Sequence, residues 1–438
     1  MPSLAFIIYF YISVAWRGVV ARYLMRFGHS LVIVAAALAV SIGGAGGIAQ
    51  GASSHEPART SIDGAAIRSV AAGTASCPAH EACAQGIDPT LKVVFVSSGD
   101  QTGCTYTLKF KWDDKSPVQT VTVSDPPDGK WLAAKHTYAA RGTYTINVTG
   151  SESGPCTLTT GDIQFKLLSY VALGDSYSSG NGAGDYLPGD CIRSRNAYPE
   201  LIEREFFGDP KDTTLIFGAC SGASTANFDS SQSGSIPAQK VYLEEPESKP
   251  GSVGLVTFTF GGDNDHVFFN VLRYCAARTV FEETCEEHSK GAVADALSKI
   301  EADLKTLYEK VKNAKVNGEP ALTAGAKVIA LGYPRIFPID RTKECKTGYN
   351  RHDFQPSDMT WLNGVVKNFD TKTENAARAA GISYINDINA FSGHELCQRD
   401  PYVNAFEYTS PHDSFHPTGA GHAALADLIE KDLGSLKA

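Results

Sequence analysis

The run Tyr170-Val-Ala-Leu-Gly-Asp-Ser-Tyr177, followed by Ser178-Ser179-Gly180, decides how this chain is read. A short apolar β-run ends abruptly in Gly174-Asp175-Ser176. A serine at that point sits at the carboxyl end of a strand, where an α/β sheet opens its crevice to ligand. Nucleophilic catalysis is one reading, and an ordinary turn is the other, because Gly, Asp and Ser are also common turn residues. The choice rests on whether other strand ends supply a base, an orienting group and oxyanion donors.

Apolar runs of the same kind occur at 168–173, Thr214-Leu-Ile-Phe217, Gly254-Leu-Val-Thr-Phe-Thr-Phe260, Lys327-Val-Ile-Ala-Leu331 and Ile382-Ser-Tyr-Ile-Asn386. Between the third and fourth, Val293, Leu297, Ile300, Leu304, Leu307 and Val311 recur at helical spacing, a stripe that packs on a core. Strands alternating with helices predict a parallel sheet covered on both faces. A last helix at about 420–436 closes a catalytic domain expected over 168–438.

Upstream the pattern shortens to period two in Leu91-Lys-Val-Val-Phe-Val96, Tyr106-Thr-Leu-Lys-Phe-Lys-Trp112, Gln119-Thr-Val-Thr-Val123 and Thr143-Tyr-Thr-Ile-Asn-Val-Thr149. Such runs separated by turn residues predict a small all-β sandwich, here over 77–167. The pattern His136-Thr-Tyr138 with Gly142-Thr-Tyr144 resembles the PKD-type immunoglobulin-like domain. Residues 53–76, rich in Ala, Gly, Ser and charge without periodicity, read as a linker. Residues 1–52 read as a targeting segment: a basic start at Met25-Arg26, an apolar core from Leu31 to Ile42, and small residues to Ala52 that place cleavage after Ala49 or Gly51. This predicts export, with translation starting at Met1 or Met25. The competing reading is an N-terminal membrane anchor, for which the apolar run Leu4 to Trp16 is short against the roughly 20 residues of a span.

Composition narrows the function. The chain has 438 residues, 43% hydrophobic and 20% charged, enough for two globular domains. A formal net charge of −9 without a basic run argues against nucleic acid as a partner. Ten cysteines without a CxxC pair point to disulfides, and hence an oxidising compartment, rather than to zinc or a redox motif. Cys104 and Cys156 lie near the two ends of the sandwich, and Cys77 and Cys83 are placed to close a small loop ahead of it.

Further strand ends carry polar blocks. Near the C-terminus stands Ser410-Pro-His-Asp413-Ser-Phe-His416-Pro417, in which Asp413 is placed to orient His416 as a base. His412 and His416 superficially mimic a zinc helix, but Pro411 and Pro417 bracket them and oppose one. A surface turn capping the last helix is the plainer alternative. Gly261-Gly262-Asp263-Asn264-Asp265 follows an apolar strand, so the Asn264 amide is a candidate oxyanion donor. Gly222, in Ala219-Cys-Ser-Gly-Ala223, allows a backbone N–H to approach a substrate oxygen closely.

Taken together, Gly174-Asp175-Ser176-Tyr177, Gly222, Gly262-Asp263-Asn264-Asp265 and Asp413-Ser-Phe-His416 resemble, in order, the four blocks of the SGNH or GDSL hydrolases. Cys191-Ile-Arg193-Ser194 through Pro199 and Ala219 through Ser224 are similar to its secreted actinobacterial lipase and esterase branch. The resemblance spans about 168–436. It implies an α/β fold, a three-layer α/β/α domain on a five-stranded parallel sheet of flavodoxin-like order, and ester hydrolysis with no metal or cofactor. It further implies Ser176 as nucleophile, His416 as base and acid, and Asp413 as its partner, although a backbone carbonyl orients the histidine in some relatives. The oxyanion hole would combine the Ser176 and Gly222 N–H groups with the Asn264 side chain. Disulfides would join Cys191 with Cys220, Cys275 with Cys285, and Cys345 with Cys397. The extra carboxylate, Asp263, is expected to point away from the crevice, because facing it would oppose an anionic intermediate.

The expected partner is an ester substrate, a lipid or an acylated carbohydrate, with a polymer or surface ligand for the sandwich and a monomeric chain. Phe268, Phe269 and Tyr186 are candidates for an acyl pocket, with packing as the alternative for each. A carbohydrate O-deacetylase and a non-catalytic surface-binding protein are the competing functions.

Overall fold

The structure is a computed structural model that describes residues 64–71, 82–208, 214–244, 249–278, 281–347, 353–406 and 409–433. The expected targeting segment lies outside these residues. So does Cys77, and no side chain is described for Cys83.

The first region is a β-sandwich. One sheet runs Gly129–Thr137, Thr90–Ser98, Gly64–Ala71, Thr157–Thr159 in spatial order, and the other runs Ala82–Gly86, Asp162–Leu167, Gly142–Ser153, Thr105–Lys111, Gln119–Ser124. Period two puts alternate side chains inside: Leu91, Val93 and Phe95 from one sheet meet Tyr106, Leu108, Phe110, Ile146 and Phe165 from the other in a single core. The His-x-Tyr motif lies within that core's aromatic layer. His136 stacks on Trp112 at 4.6 Å, Tyr138 stacks on Tyr144 at 4.0 Å, and the Tyr138 hydroxyl donates to the Trp112 carbonyl. A disulfide joins Cys104 to Cys156.

One expectation fails here. Gly64–Ala71, within the stretch read as linker, is a strand that pairs antiparallel with Thr90–Ser98 and parallel with Thr157–Thr159. Its composition carries no strand signal because its backbone partners come from neighbours on both sides.

The second region holds a five-stranded sheet. Its strands are β1 (Ser169–Gly174), β2 (Leu215–Phe217), β3 (Val253–Thr259), β4 (Leu322–Leu331) and β5 (Ser383–Ile385), all parallel, in the order β2-β1-β3-β4-β5. This is the expected flavodoxin-like order. Both central strands, β1 and β3, are buried along their whole length. Alternation splits them between two cores: Tyr170, Ala172 and Leu255 face one side, while Val171, Leu173, Val256 and Phe258 face the other.

Helices cover both faces. α1 (Ser176–Ser179) follows β1; α2 (Val267–Ala277) and α3 (Cys285–Lys312) follow β3; α4 (Pro356–Ala380) follows β4; α5 (Gly419–Leu433) ends the domain. The predicted stripe is the buried face of α3, with Ile300, Leu304, Leu307 and Val311 in one core, while Leu425 and Ile429 of α5 lie in the other. Thr284 and Glu287 form a capping box at the start of α3, and Pro356 opens α4. Strand order reverses between β1 and β3, so the crevice opens at their carboxyl ends.

Candidate active site

The turn that carries Ser176 is set by exclusion of alternatives. Gly174 has φ 120°, and a Cβ there would lie 2.4 Å from the Thr259 carbonyl, so only glycine ends β1 in this way. Both its backbone groups are held by one side chain: Gly174 N donates to Gln239 Oε1 at 2.7 Å, and Gln239 Nε2 donates to Gly174 O at 2.8 Å. Asp175 caps α1 by accepting from Tyr177 N at 3.1 Å. Ser178 Oγ accepts from Thr259 N at 2.8 Å and lies 2.9 Å from the Tyr198 hydroxyl. Ser176 is thereby fixed at the first residue of a helix.

His416 Nε2 lies 2.8 Å from Ser176 Oγ. Its Nδ1 lies 3.0 Å from the Ser414 carbonyl, which can only accept, so Nδ1 carries the proton and Nε2 is free to receive one. Burial pushes the imidazole down to about 4, opposed by the Ser414 carbonyl and the Asp413 charge. The ring is therefore neutral at neutral pH.

Asp413 is not the orienter that the sequence suggested. Its Oδ1 accepts a short hydrogen bond from the Tyr186 hydroxyl and lies 3.3 Å from His412 Nε2. The cause is local: Pro411–Asp413 forms one turn of 3₁₀ helix, and Phe415 takes φ 63°, so the chain reverses between Asp413 and His416. The reversal puts the Ser414 carbonyl under the ring. Asn404 Nδ2 supports it by donating to the Gly182 carbonyl at 2.8 Å and the His416 carbonyl at 3.2 Å, and Tyr177 donates to the Phe415 carbonyl. Tyr186 likewise leaves the candidate acyl pocket, since its hydroxyl is engaged by Asp413 and by Gly182 N.

Gly222 follows β2 with φ 79°, beside the disulfide that joins Cys191 to Cys220. Cys220 N donates to the Gly174 carbonyl at 2.9 Å, and Asn181 Nδ2 donates to Ser221 Oγ, which ties this loop to the nucleophile turn. Closing a loop with separation 29 contributes on the order of 3–4 kcal/mol. Cys275 joins Cys285 and Cys345 joins Cys397 in the same region.

The third block departs from expectation. Asn264 Oδ1 accepts from Thr225 N and its Nδ2 donates to Thr225 Oγ1, both at 2.9 Å, so the carbonyl and one N–H of its amide are held by the loop after β2. Asp263, expected to point away, lines the cavity with Ser176 and His416, and Asn264 does not. The turn accommodates this through two consecutive left-handed residues, Asp265 (φ 56°) and His266 (φ 54°).

That cavity measures about 500 Å³. Its walls are largely apolar, with Phe268, Phe269, Leu272, Ile336, Val366 and Phe406 running away from Ser176. Phe268 and Phe269 both line it.

Residues 172–424 match the GDSL-like lipase/acylhydrolase family, more than half of the chain. The chain belongs to that family. As a GDSL-family protein it is a carboxylic ester hydrolase. It is 30% identical over 256 residues to Lipase 1 of Streptomyces coelicolor, covering 58% of this chain and 82% of the relative, and 31% identical over 258 residues to a lipase of Streptomyces rimosus, with the same coverage. Among solved structures it is similar to phospholipase A1 from Streptomyces albidoflavus, at 30% identity and a TM-score of 0.47, covering 60% of this chain and 98% of that one. The match to the family does not include the sandwich.

Sequence reasoning missed Gln239, Thr259 and Asn404, and met Tyr198 only as part of the Cys191–Pro199 block, without a role. Each acts through a partner distant in the chain.

Proposed function

We propose that this GDSL-family enzyme is a secreted serine esterase that hydrolyses fatty-acyl esters through an acyl-enzyme. The observation that carries the reading is the 2.8 Å contact between His416 Nε2 and Ser176 Oγ at the head of an apolar cavity. In the first step Ser176 Oγ bonds to the ester carbonyl carbon while its proton passes to His416 Nε2. The Nδ1–H bond to the Ser414 carbonyl supports the resulting imidazolium. The Ser176 and Gly222 N–H groups are the backbone donors assigned to the oxyanion. His416 then returns the proton to the departing alcohol, and water repeats the sequence to release the acid.

The substrate class follows from the cavity. About 500 Å³ walled by Phe268, Phe269, Leu272 and Ile336 suits an acyl chain, and an acetyl ester would leave most of it unfilled. The names of the relatives, two Streptomyces lipases, support the same class. Export rests on the sequence of residues 25–52 and on cysteines paired as disulfides. For the sandwich we propose the role of a spacer that carries the catalytic domain, since only Leu168 separates its last strand from β1.

Labelling with a fluorophosphonate tests the mechanism: the wild type labels and Ser176→Ala does not. A p-nitrophenyl ester series from acetate to palmitate tests the substrate. Turnover peaking beyond butyrate is expected, and a preference for acetate would remove the fatty-acyl assignment.

A further inference from the structure

Asp175, buried, and Asp263, half-buried, both stand at the head of the cavity. Asp175 receives three donors: Tyr177 N–H, the Thr259 hydroxyl at 2.7 Å and the Tyr333 hydroxyl. Among the described residues no hydrogen bond reaches the Asp263 carboxyl, which faces the cavity with Ser176. Donors stabilise the charged form of a carboxyl; Asp175 has three, and Asp263 has none to hold its charge. Asn264, meanwhile, is turned to Thr225 and absent from the cavity wall.

We propose that Asp263, as a neutral carboxylic acid, donates the side-chain hydrogen bond to the oxyanion, in the place the sequence pattern gives to Asn264. The assignment rests on Ser176 being the nucleophile. The proton stays on Asp263 throughout: as Ser176 Oγ bonds to the carbonyl carbon, the carbonyl π-electrons move to oxygen and that oxygen accepts from the Asp263 O–H. A neutral carboxyl kept in an apolar site is a strong donor, whereas the ionised form would repel the same oxyanion.

The consequence is an ester hydrolase confined to acid pH. Burial raises Asp263 to about 6 and Asp175 to about 7, Asp175 further through the negative charge that Asp263 carries once ionised. The groups facing them are Tyr177 from α1, Tyr333 from the turn after β4 and His416 from the C-terminal loop. The exposed Arg273 of α2 stands on the same cavity wall, and His266, on Asp263's own turn, opposes the shift. Behind Tyr177, Asp387 adds a further negative charge. His416 must be neutral to act as base, so activity rises as pH passes about 4. Asp263 must be protonated, so activity falls as pH passes the range of the pair.

The test is kcat/KM for p-nitrophenyl butyrate from pH 4 to 8.5 in the wild type, Asp263→Asn and Asn264→Ala. The wild type is expected to fall above pH 6 to 7. Asp263→Asn, whose amide donates at every pH, should lose that fall and exceed the wild type at pH 8.5 by roughly thirty- to three-hundredfold, since each unit above the pair's titration removes about tenfold of the acid form. Asn264→Ala should stay within a few-fold of the wild type at pH 5. A wild-type profile flat to pH 8.5, an alkaline fall that persists in Asp263→Asn, or a hundredfold loss in Asn264→Ala at pH 5 would each overturn the proposal. The wild-type and Asn264→Ala measurements decide it even if Asp263→Asn does not fold. Retained turnover in Ser176→Ala would instead sink the nucleophile assignment, an outcome separate from all of these.

Discussion

Two turns, Gly174–Ser179 and Gly261–His266, follow adjoining strands of one sheet and face one cavity, yet they are built in opposite ways. The first is held at nearly every polar atom: Gln239 clamps Gly174 on both sides, Ser178 bonds Thr259, and Asp175 takes three donors. The second is held at one end by Tyr333, whose hydroxyl accepts from Gly262 N at 3.1 Å, and at the other by Asn264 on Thr225, with two left-handed residues beyond. A turn fixed by many tertiary bonds has one solution. A turn with one more polar residue than its pattern needs chooses which of them meets the substrate, and here the carboxyl does.

The comparison can be broken at several points. Ser176→Ala should lower kcat/KM by on the order of 10⁵- to 10⁶-fold with folding intact, because it removes the bond-forming atom; a modest loss in the ester assay would mean that the first turn does not carry the chemistry. Gln239→Ala leaves the Gly174 N–H buried without its partner, while the carbonyl keeps Cys220 N, and should cost about 1–3 kcal/mol in denaturant unfolding. A cost near zero would show that the first turn is not held as described.

Asp413→Ala should reduce kcat less than about tenfold, since the Ser414 carbonyl already fixes the His416 tautomer. A loss near the 10⁴-fold typical of an orienting aspartate would restore Asp413 to that role. The smallest effect is on stability. The folded protein binds the Asp263 proton more tightly than the unfolded chain does, so this group's contribution declines as pH rises from the ordinary carboxylate range to about 6. Thermal melts of Asp263→Asn should accordingly lie above the wild type at pH 8 and not at pH 4; equal melts at both would place the Asp263 carboxyl in water.

Much of this was legible beforehand. The strands β1 to β5, the α3 stripe and the Ser176–His416 pairing follow from apolar runs and the polar residues that end them, and the strand order follows from the resemblance to the SGNH hydrolases. Gly64–Ala71 was not, because a strand taking its partners from two neighbours needs no pattern of its own. Asp413 and Asn264 were misplaced for a different reason: each sits within three residues of the group that does the work, and spacing cannot resolve a reversal of one turn.

The sequence by itself determined the sheet, the crevice and which strand ends meet there, since hydrophobic periodicity and the handedness of parallel connections leave little choice. Only the tertiary structure decided which atom of each block faces the substrate. That choice lies in a few φ angles, at Asp265, His266 and Phe415, and these are set by what the neighbouring loops offer as hydrogen-bond partners.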